Sequence, residues 1–141
     1  MAAADFNAIR KVIEDKLSLE LARGTLVPVV FGNISYSPTV DLPWVQCLID
    51  FGSSEYLSQG GTTNSCNRIN GVTVINIYTK KGAGAAAGFA LGKRIRDLYN
   101  RLIVSGIFFD APIGPEVIAN ASPPAFFQTQ VRVTFEVIEE L

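Results

Sequence analysis

Histidine is missing from this 141-residue chain, which excludes every catalytic triad or metal site that needs an imidazole. The two cysteines, Cys47 and Cys66, are too few for a zinc site without histidine, because such a site takes about four soft ligands. Cys47 lies in an apolar run and Cys66 in a polar one, so we expect two reduced thiols rather than a disulfide.

Long apolar runs are also missing. No stretch approaches the roughly 18 apolar residues that a membrane-spanning helix needs, so we expect no membrane association. The first residues have neither the basic start nor the apolar segment of a secretory signal, which predicts that the chain is not exported. With 12 basic and 13 acidic side chains, the net charge of −1 lacks the basic surplus of a nucleic-acid-binding protein.

The composition that remains is that of a folded protein, with 48% hydrophobic and 18% charged residues. The length suits one core, so residues 1–141 are predicted to form a single domain. Apolar residues at steps of three and four predict helices over 5–23 and 84–105. Asp5 is a suitable N-cap for the first helix, and Gly106 a suitable stop for the second.

Short runs rich in β-branched and aromatic residues predict strands over 27–31, 44–51, 68–80, 107–109 and 127–137. Apolar and polar residues alternate strictly over 127–137, which makes it the clearest strand and predicts one buried and one solvent-exposed face. Asn70-Gly71 indicates a turn or a bulge within 68–80. The prolines in 33–43 and 110–126 predict an irregular connection and a broken or edge-like segment. The polar segment 52–67 predicts a functional or mobile loop.

The order of these elements is helix, strands, helix, strands. It predicts an α+β fold in which two helices pack on one face of a mainly antiparallel mixed sheet. The small residues that open the second helix predict a close backbone approach, either to the sheet or to a neighbouring subunit.

The glycines at 82, 84 and 88 imitate a dinucleotide-binding loop, because they follow a predicted strand and open a helix. Their spacing is G-x-G-x-x-x-G rather than G-x-G-x-x-G, and an alternating strand precedes them, so we predict no cofactor. No pair of carboxylates is placed across a cleft by the sequence, the histidine that usually serves as base for a serine nucleophile is missing, and no Ser-x-x-Lys occurs. We therefore expect no catalytic activity.

An ordered set of short motifs covers nearly the whole chain. In sequence order it comprises Val29-Val30-Phe31-Gly32-Asn33, Tyr36-Ser37-Pro38, Pro43-Trp44-Val45, Arg68-Ile69-Asn70-Gly71, Lys81-Gly82-Ala83-Gly84 and Gly106 before an apolar strand. The set resembles the small tail-terminator proteins of long-tailed bacteriophages. Family members often have proline where Lys80 and Lys81 stand, and a tryptophan near Phe126, so partner contacts can differ here.

The resemblance implies a structural virion protein that forms a ring, expected to be a hexamer, on the head-proximal end of the tail tube. Such a ring ends tube growth and joins the tail to the head or neck proteins, after assembly in the host cytoplasm. Genome DNA passes through the lumen of the ring without sequence-specific contacts. The alternatives are a head-completion or neck connector protein of the phage, a non-viral protein-binding module, and a small enzyme with an atypical nucleotide loop.

Six residues are candidates for contacts in such an assembly. The outward positions of the last strand are expected to face the lumen or a ring neighbour, and the basic side chains to meet a protein partner. They are Arg68, Lys80, Lys81, Gln128, Gln130 and Arg132.

Overall fold

A computed structural model describes residues 4–38, 42–121 and 123–141, with two helices and seven strands. In chain order the elements are α1 (Phe6–Leu21), β1 (Val29–Phe31), β2 (Trp44–Tyr56), β3 (Cys66–Lys80), α2 (Ala86–Tyr99), β4 (Ile103–Val104), β5 (Ile107–Phe109), β6 (Ile113–Ile118) and β7 (Phe126–Glu140).

All seven strands belong to one sheet with the order β1-β2-β3-β7-β5-β4. β6 also pairs with β7, at residues 128–132, while β5 pairs with residues 135–137 of the same strand. β1 lies parallel to β2, and the other pairings are antiparallel. The predicted α+β class, with a mainly antiparallel mixed sheet, is therefore confirmed.

Both helices pack on the same face of this sheet. Their buried residues join the inward side chains of β2, β3 and β7 in one core, which includes Ile13, Ile95, Cys47, Ile75 and Val131. Tyr99 ties the two helices together, because its hydroxyl donates a hydrogen bond to the carbonyl of Ile13 at 2.8 Å within the core. The predicted arrangement of the helices is thus also confirmed.

The first helix begins and ends close to the predicted residues. The Asp5 carboxylate accepts hydrogen bonds from the backbone N–H groups of Asn7 and Ala8, as an N-cap does. Its buried stripe is Ile9, Ile13, Leu17 and Leu21. Phe6, the first apolar residue of the periodic series, is half exposed and contacts the ring of Phe51 edge-on.

The second helix is shorter than predicted. It ends at Tyr99, and residues that were expected to continue it form β4. Ser105 and Gly106 both have positive φ, at 50° and 77°, which is the geometry of a two-residue turn between β4 and β5. The prediction that Gly106 stops the helix was wrong, since a local glycine signal fits a hairpin turn equally well.

The small residues at the start of α2 do allow a close approach. A Cβ atom at Gly88 would lie 2.5 Å from Thr129 Oγ1, and one at Gly92 would lie 2.7 Å from Pro115 Cβ. The helix backbone therefore rests directly on β7 and β6. This agrees with the prediction that the small residues of this segment allow a close backbone approach. Of the two partners predicted for this approach, the structure shows the sheet.

The strands β2 and β3 form a longer hairpin than predicted. Residues 52–56 continue β2 and residues 66–67 begin β3, so the connection is 57–65 rather than 52–67. β3 runs through Asn70 and Gly71 without a turn. The pairing register shifts on the opposite strand, between Phe51 and Ser54. The polar composition misplaced the loop because residues 52–56 are all exposed, even though 54–56 pair with β3 and β3 pairs there with β7.

Two predicted irregular segments run partly outside the described residues. The connection 33–43 includes residues 39–41, and the proline-rich segment 110–126 includes residue 122, none of which is described. The rest of the second segment contains β6, whose pairing with β7 has a register shift between Ile113 and Glu116. This part matches the predicted broken, edge-like strand.

Candidate interaction surface

We call the face of the sheet opposite the helices the open face. It bears aromatic, amide, charged and exposed apolar side chains. It consists of the outward residues of β2, β3, β6 and β7, and in the described residues no helix covers it. Strand side chains alternate between the two faces, so residues that pair across neighbouring strands lie in rows. One row of this surface consists of Gln46, Asn76, Gln130 and Glu116. In the rows on either side, aromatic or aliphatic side chains accompany Gln128 in one row and Arg132 in the other.

An aromatic cluster lies at one end of the open face. The rings of Trp44 and Tyr78 stack with centroids 4.2 Å apart, and Phe126 meets Trp44 edge-on at 5.8 Å. Together with Val30 these residues form a second small core. Burial raises the pKa of the Tyr78 hydroxyl. The cluster covers this end of the sheet without a helix, and it was missed at the sequence level because stacking depends on the cross-strand register.

An amide network occupies the next row. Asn76 Nδ2 donates to Gln46 Oε1 at 3.1 Å, while Asn76 Oδ1 accepts from the Nε2 atoms of Gln128 and Gln130, both at 3.0 Å. Asn76 and Gln128 are each only 7% exposed. The network satisfies the amides of three adjacent strands, so it specifies their register as well as forming part of the surface.

Apolar side chains are exposed along the β4–β5–β6 edge of the open face. Ile103 is 66% exposed, and its cross-strand neighbour Phe108 and the β6 residue Ile113 are also exposed. Between them and the amide network, Arg132 Nη2 lies 3.7 Å from Glu116 Oε1, with both side chains close to half exposed. Exposed apolar residues that adjoin charged ones are typical of protein contact surfaces.

Arg68 lies at the far end of the sheet. Its Nε is 3.2 Å from Glu136 Oε2, and its Nη1 is 3.9 Å from Glu55 Oε2. Beyond it, Glu139 accepts hydrogen bonds from the Ala4 backbone N–H and from Asn67, which lower the pKa of its carboxyl. This end of the sheet is therefore acidic around a single arginine.

The predicted contact residues fall into two groups. Lys80 ends β3 opposite Phe126 and Lys81 follows it, while Gln128 and Gln130 lie two and four residues farther along β7. Arg68 is separated from Lys80 by 12 residues of one strand, or about 40 Å at about 3.3 Å per residue. Arg132 pairs with Val74, midway between these two ends, so the structure brings four of the six together and places Arg132 and Arg68 farther along the sheet.

The environments of these residues differ. Gln130 is half-buried and Arg132 is more exposed, whereas Gln128 is nearly buried by its own chain. Lys81 Nζ donates to the Pro124 carbonyl at 3.3 Å and is exposed. A partner can therefore reach Lys81, Gln130 and Arg132 more readily than Gln128. Strand alternation could not show this difference, since it depends on the residues that neighbouring strands place beside each position, which are Tyr78 and Ile118 for Gln128.

The cysteines lie far apart. Cys47 pairs in register with Ile75, and Cys66 lies nine residues along β3 from that position, or about 30 Å away. Both thiols are free, and burial raises the pKa of the Cys47 thiol to about 12. Within the described residues, no group of three or more acidic or cysteine side chains could hold a metal ion. Neither described helix is long and apolar enough to cross a membrane.

Comparison with known proteins yields the fold alone. No protein-family model matches the chain, and no curated protein matches it. Among solved structures, one protein that carries no functional name is similar over 96% of each chain, with a TM-score of 0.71 and 15% sequence identity. This similarity covers nearly the whole chain and agrees with an α+β architecture.

Proposed function

We propose that this chain is a structural subunit of a bacteriophage virion. Its copies form a ring, a hexamer, on the head-proximal end of the tail tube, where the ring ends tube polymerisation and provides the joint to the head or neck proteins. The support is the ordered motif set along the sequence, together with a fold of the class that this resemblance implies.

The observation that carries the proposal is the distribution of the chain's exposed apolar residues. Ile103, Phe108 and Ile113 are exposed on the β4–β5–β6 edge, while Leu19 and Leu26 are exposed on or just beyond α1. Two different apolar surfaces on one subunit are what a head-to-tail contact needs, because each interface then uses one surface from each copy. Such contacts close into a ring when the rotation between copies fits.

The mechanism proposed is therefore geometric, and no bond is made or broken. One face of the ring matches the end of the tube, so the ring binds there. The other face differs from the tube end, so no further tube subunit adds. Genome DNA passes through the lumen without base-specific contacts. During assembly the subunits are in the host cytoplasm, and afterwards they are in the virion.

The test is electron microscopy of particles made without this protein. A tail terminator predicts tails that are overlong and lack heads, because growth continues past the normal length. Tails of normal length beside separate, DNA-filled heads would instead indicate a head-completion or neck connector protein. Normal, infectious particles would overturn the proposal. The matched control is the same deletion complemented by the wild-type chain in trans, which restores normal particles.

A further inference from the structure

The end of the β2–β3 hairpin projects an aromatic ring into solvent. Tyr56 is 86% exposed, although it lies within β2 and pairs with Asn67. The connection beyond it is held by backbone hydrogen bonds, from Leu57 N to Cys66 O at 3.0 Å and from Asn64 N to Leu141 O at 2.8 Å. A large side chain on a hydrogen-bonded support loses little conformational entropy when it binds.

The charge around Tyr56 is acidic. We call residues 54–70 and 136–141 the hairpin end. They contain four glutamates and one arginine. Glu139 lies on the same face of the sheet as Tyr56, because both pair with Asn67, whereas Glu55 lies on the other face beside Arg68. An interaction that uses Tyr56 therefore favours a partner surface with basic side chains.

A cleft with the complementary character lies at the opposite end of the same strands. Its volume is about 390 Å³, and its lining includes Lys81, Ile118, Pro124, Phe126 and Phe127. We call residues 78–84, 118–121 and 123–128 the lysine end. They contain Lys80 and Lys81 and no acidic residue. The cleft combines aromatic and aliphatic walls with a basic rim, which suits a tyrosine beside a glutamate.

The two ends cannot meet within one chain. Asn67, the partner of Tyr56, is 13 residues from Lys80 along β3, which is about 43 Å of strand. A contact between them must therefore join two copies, and it must be head-to-tail because the two surfaces differ.

We propose that the hairpin end of one copy docks on the lysine end of the next, with Tyr56 inserted in the cleft and the acidic surroundings of Tyr56 facing Lys81. The occupant of the cleft is thus a second copy of this chain. This inference rests on the proposed ring and adds a second contact between neighbouring subunits to the apolar one. Tyrosine is a common anchor residue at protein interfaces, since it buries a large area with few rotatable bonds.

The test is site-directed cross-linking between two preparations of the full chain, both carrying Cys66→Ser. One carries Gln59→Cys beside Tyr56, and the other carries Ala119→Cys at the cleft. A short bismaleimide should join them into a heterodimer. The matched control pair replaces Ala119→Cys with Lys93→Cys, on an exposed position of α2, and should give background yield.

Charge reversal distinguishes this docking from chance proximity. Lys81→Glu in the cleft chain should lower the cross-linking yield roughly tenfold, because attraction becomes repulsion. Tyr56→Ala should also abolish the specific yield, whereas Leu42→Ala, which truncates another exposed apolar side chain, should not.

Two outcomes overturn the inference. One is a yield for the cleft pair no higher than for the Lys93→Cys pair, with or without tail tubes present. The other is a specific yield that neither Tyr56→Ala nor Lys81→Glu reduces. Either result leaves the proposed function standing if particles lacking the protein still show overlong tails. Specific cross-linking together with normal particles would instead uphold the contact and overturn the proposed function.

Discussion

The ring of Phe135 occupies the space that a side chain at Gly71 would need. A Cβ atom at position 71 would lie 2.4 Å from Phe135 Cζ, and the two residues are directly opposite each other on β3 and β7. Phe135 is almost fully buried and also meets the rings of Phe51 and Phe109. Gly71 is therefore a packing requirement of the central strands.

Gly71→Ala should lower the free energy of unfolding by about 1–3 kcal/mol, because the added methyl group forces Phe135 out of its position. Urea denaturation followed by circular dichroism measures the change. Gly32→Ala is the matched control, since its Cβ would meet only Leu48 Cδ2 at 3.9 Å, and it should change stability by less than about 0.5 kcal/mol. Equal stability of the two variants would contradict the role given to Gly71.

Gly92→Ala tests the close approach of α2 to β6. Glycine to alanine inside a helix ordinarily stabilises by about 1 kcal/mol. Here the new Cβ would lie 2.7 Å from Pro115 Cβ, so we expect net destabilisation of about 1–2 kcal/mol. Thermal unfolding of both variants provides the measurement, with Ser18→Ala on the exposed side of α1 as the control. A Gly92→Ala protein more stable than wild type would show that the helix does not rest on Pro115.

Asp5→Ala removes the N-cap of α1, whose carboxylate accepts two backbone hydrogen bonds at 3.1 Å. We expect a loss of about 1 kcal/mol in the free energy of unfolding. Asp5→Asn keeps an acceptor at the same place and should cost only a few tenths of a kcal/mol. Chemical denaturation of the three proteins checks the order, and identical losses for both variants would argue against capping.

Asn76→Ala should be the most damaging change in the amide network. It leaves the amides of Gln46, Gln128 and Gln130 without their shared partner, and Gln128 is nearly buried. The expected loss is about 2–3 kcal/mol, since unpaired buried polar groups retain their desolvation cost. Gln46→Ala removes one hydrogen bond and should cost about 1 kcal/mol. Urea unfolding that ranks Gln46→Ala as the more costly change would contradict the central position of Asn76.

Alkaline pH should destabilise the fold partly through Cys47. Burial raises the pKa of this thiol from 9.0 to about 12. As pH rises past about 9, the unfolded chain loses the thiol proton while the folded chain keeps it, so the free energy of unfolding falls between these two values. In Cys47→Ala this contribution disappears. The free energy of unfolding of this variant should therefore fall less steeply with pH than that of the wild type between about pH 9 and about pH 12. Urea denaturation at each pH measures the slope, which does not depend on how stable the variant is at neutral pH. An unchanged slope would show that the thiol does not contribute.

Local patterns determined much of the fold before any tertiary contact was considered. The stripe from Ile9 to Leu21 and the alternation from Phe127 to Val137 report burial directly, because helix and strand periods place those residues on one side of their own element. From these elements and their order, the α+β class and the position of the helices on one sheet face followed.

Tertiary structure decided what depends on residues distant in sequence. Asn70-Gly71 carries a turn signal, yet Phe135 across the sheet and the neighbouring strands hold it in extended pairing. Ser105-Gly106 could have ended a helix or turned a hairpin, and the pairing of β5 with β7 selected the hairpin. The stacking of Trp44 on Tyr78, the burial of Gln128 and the separation of Arg68 from the lysines likewise depend on strand register. A register is a relation between strands, so no single segment of the sequence contains it.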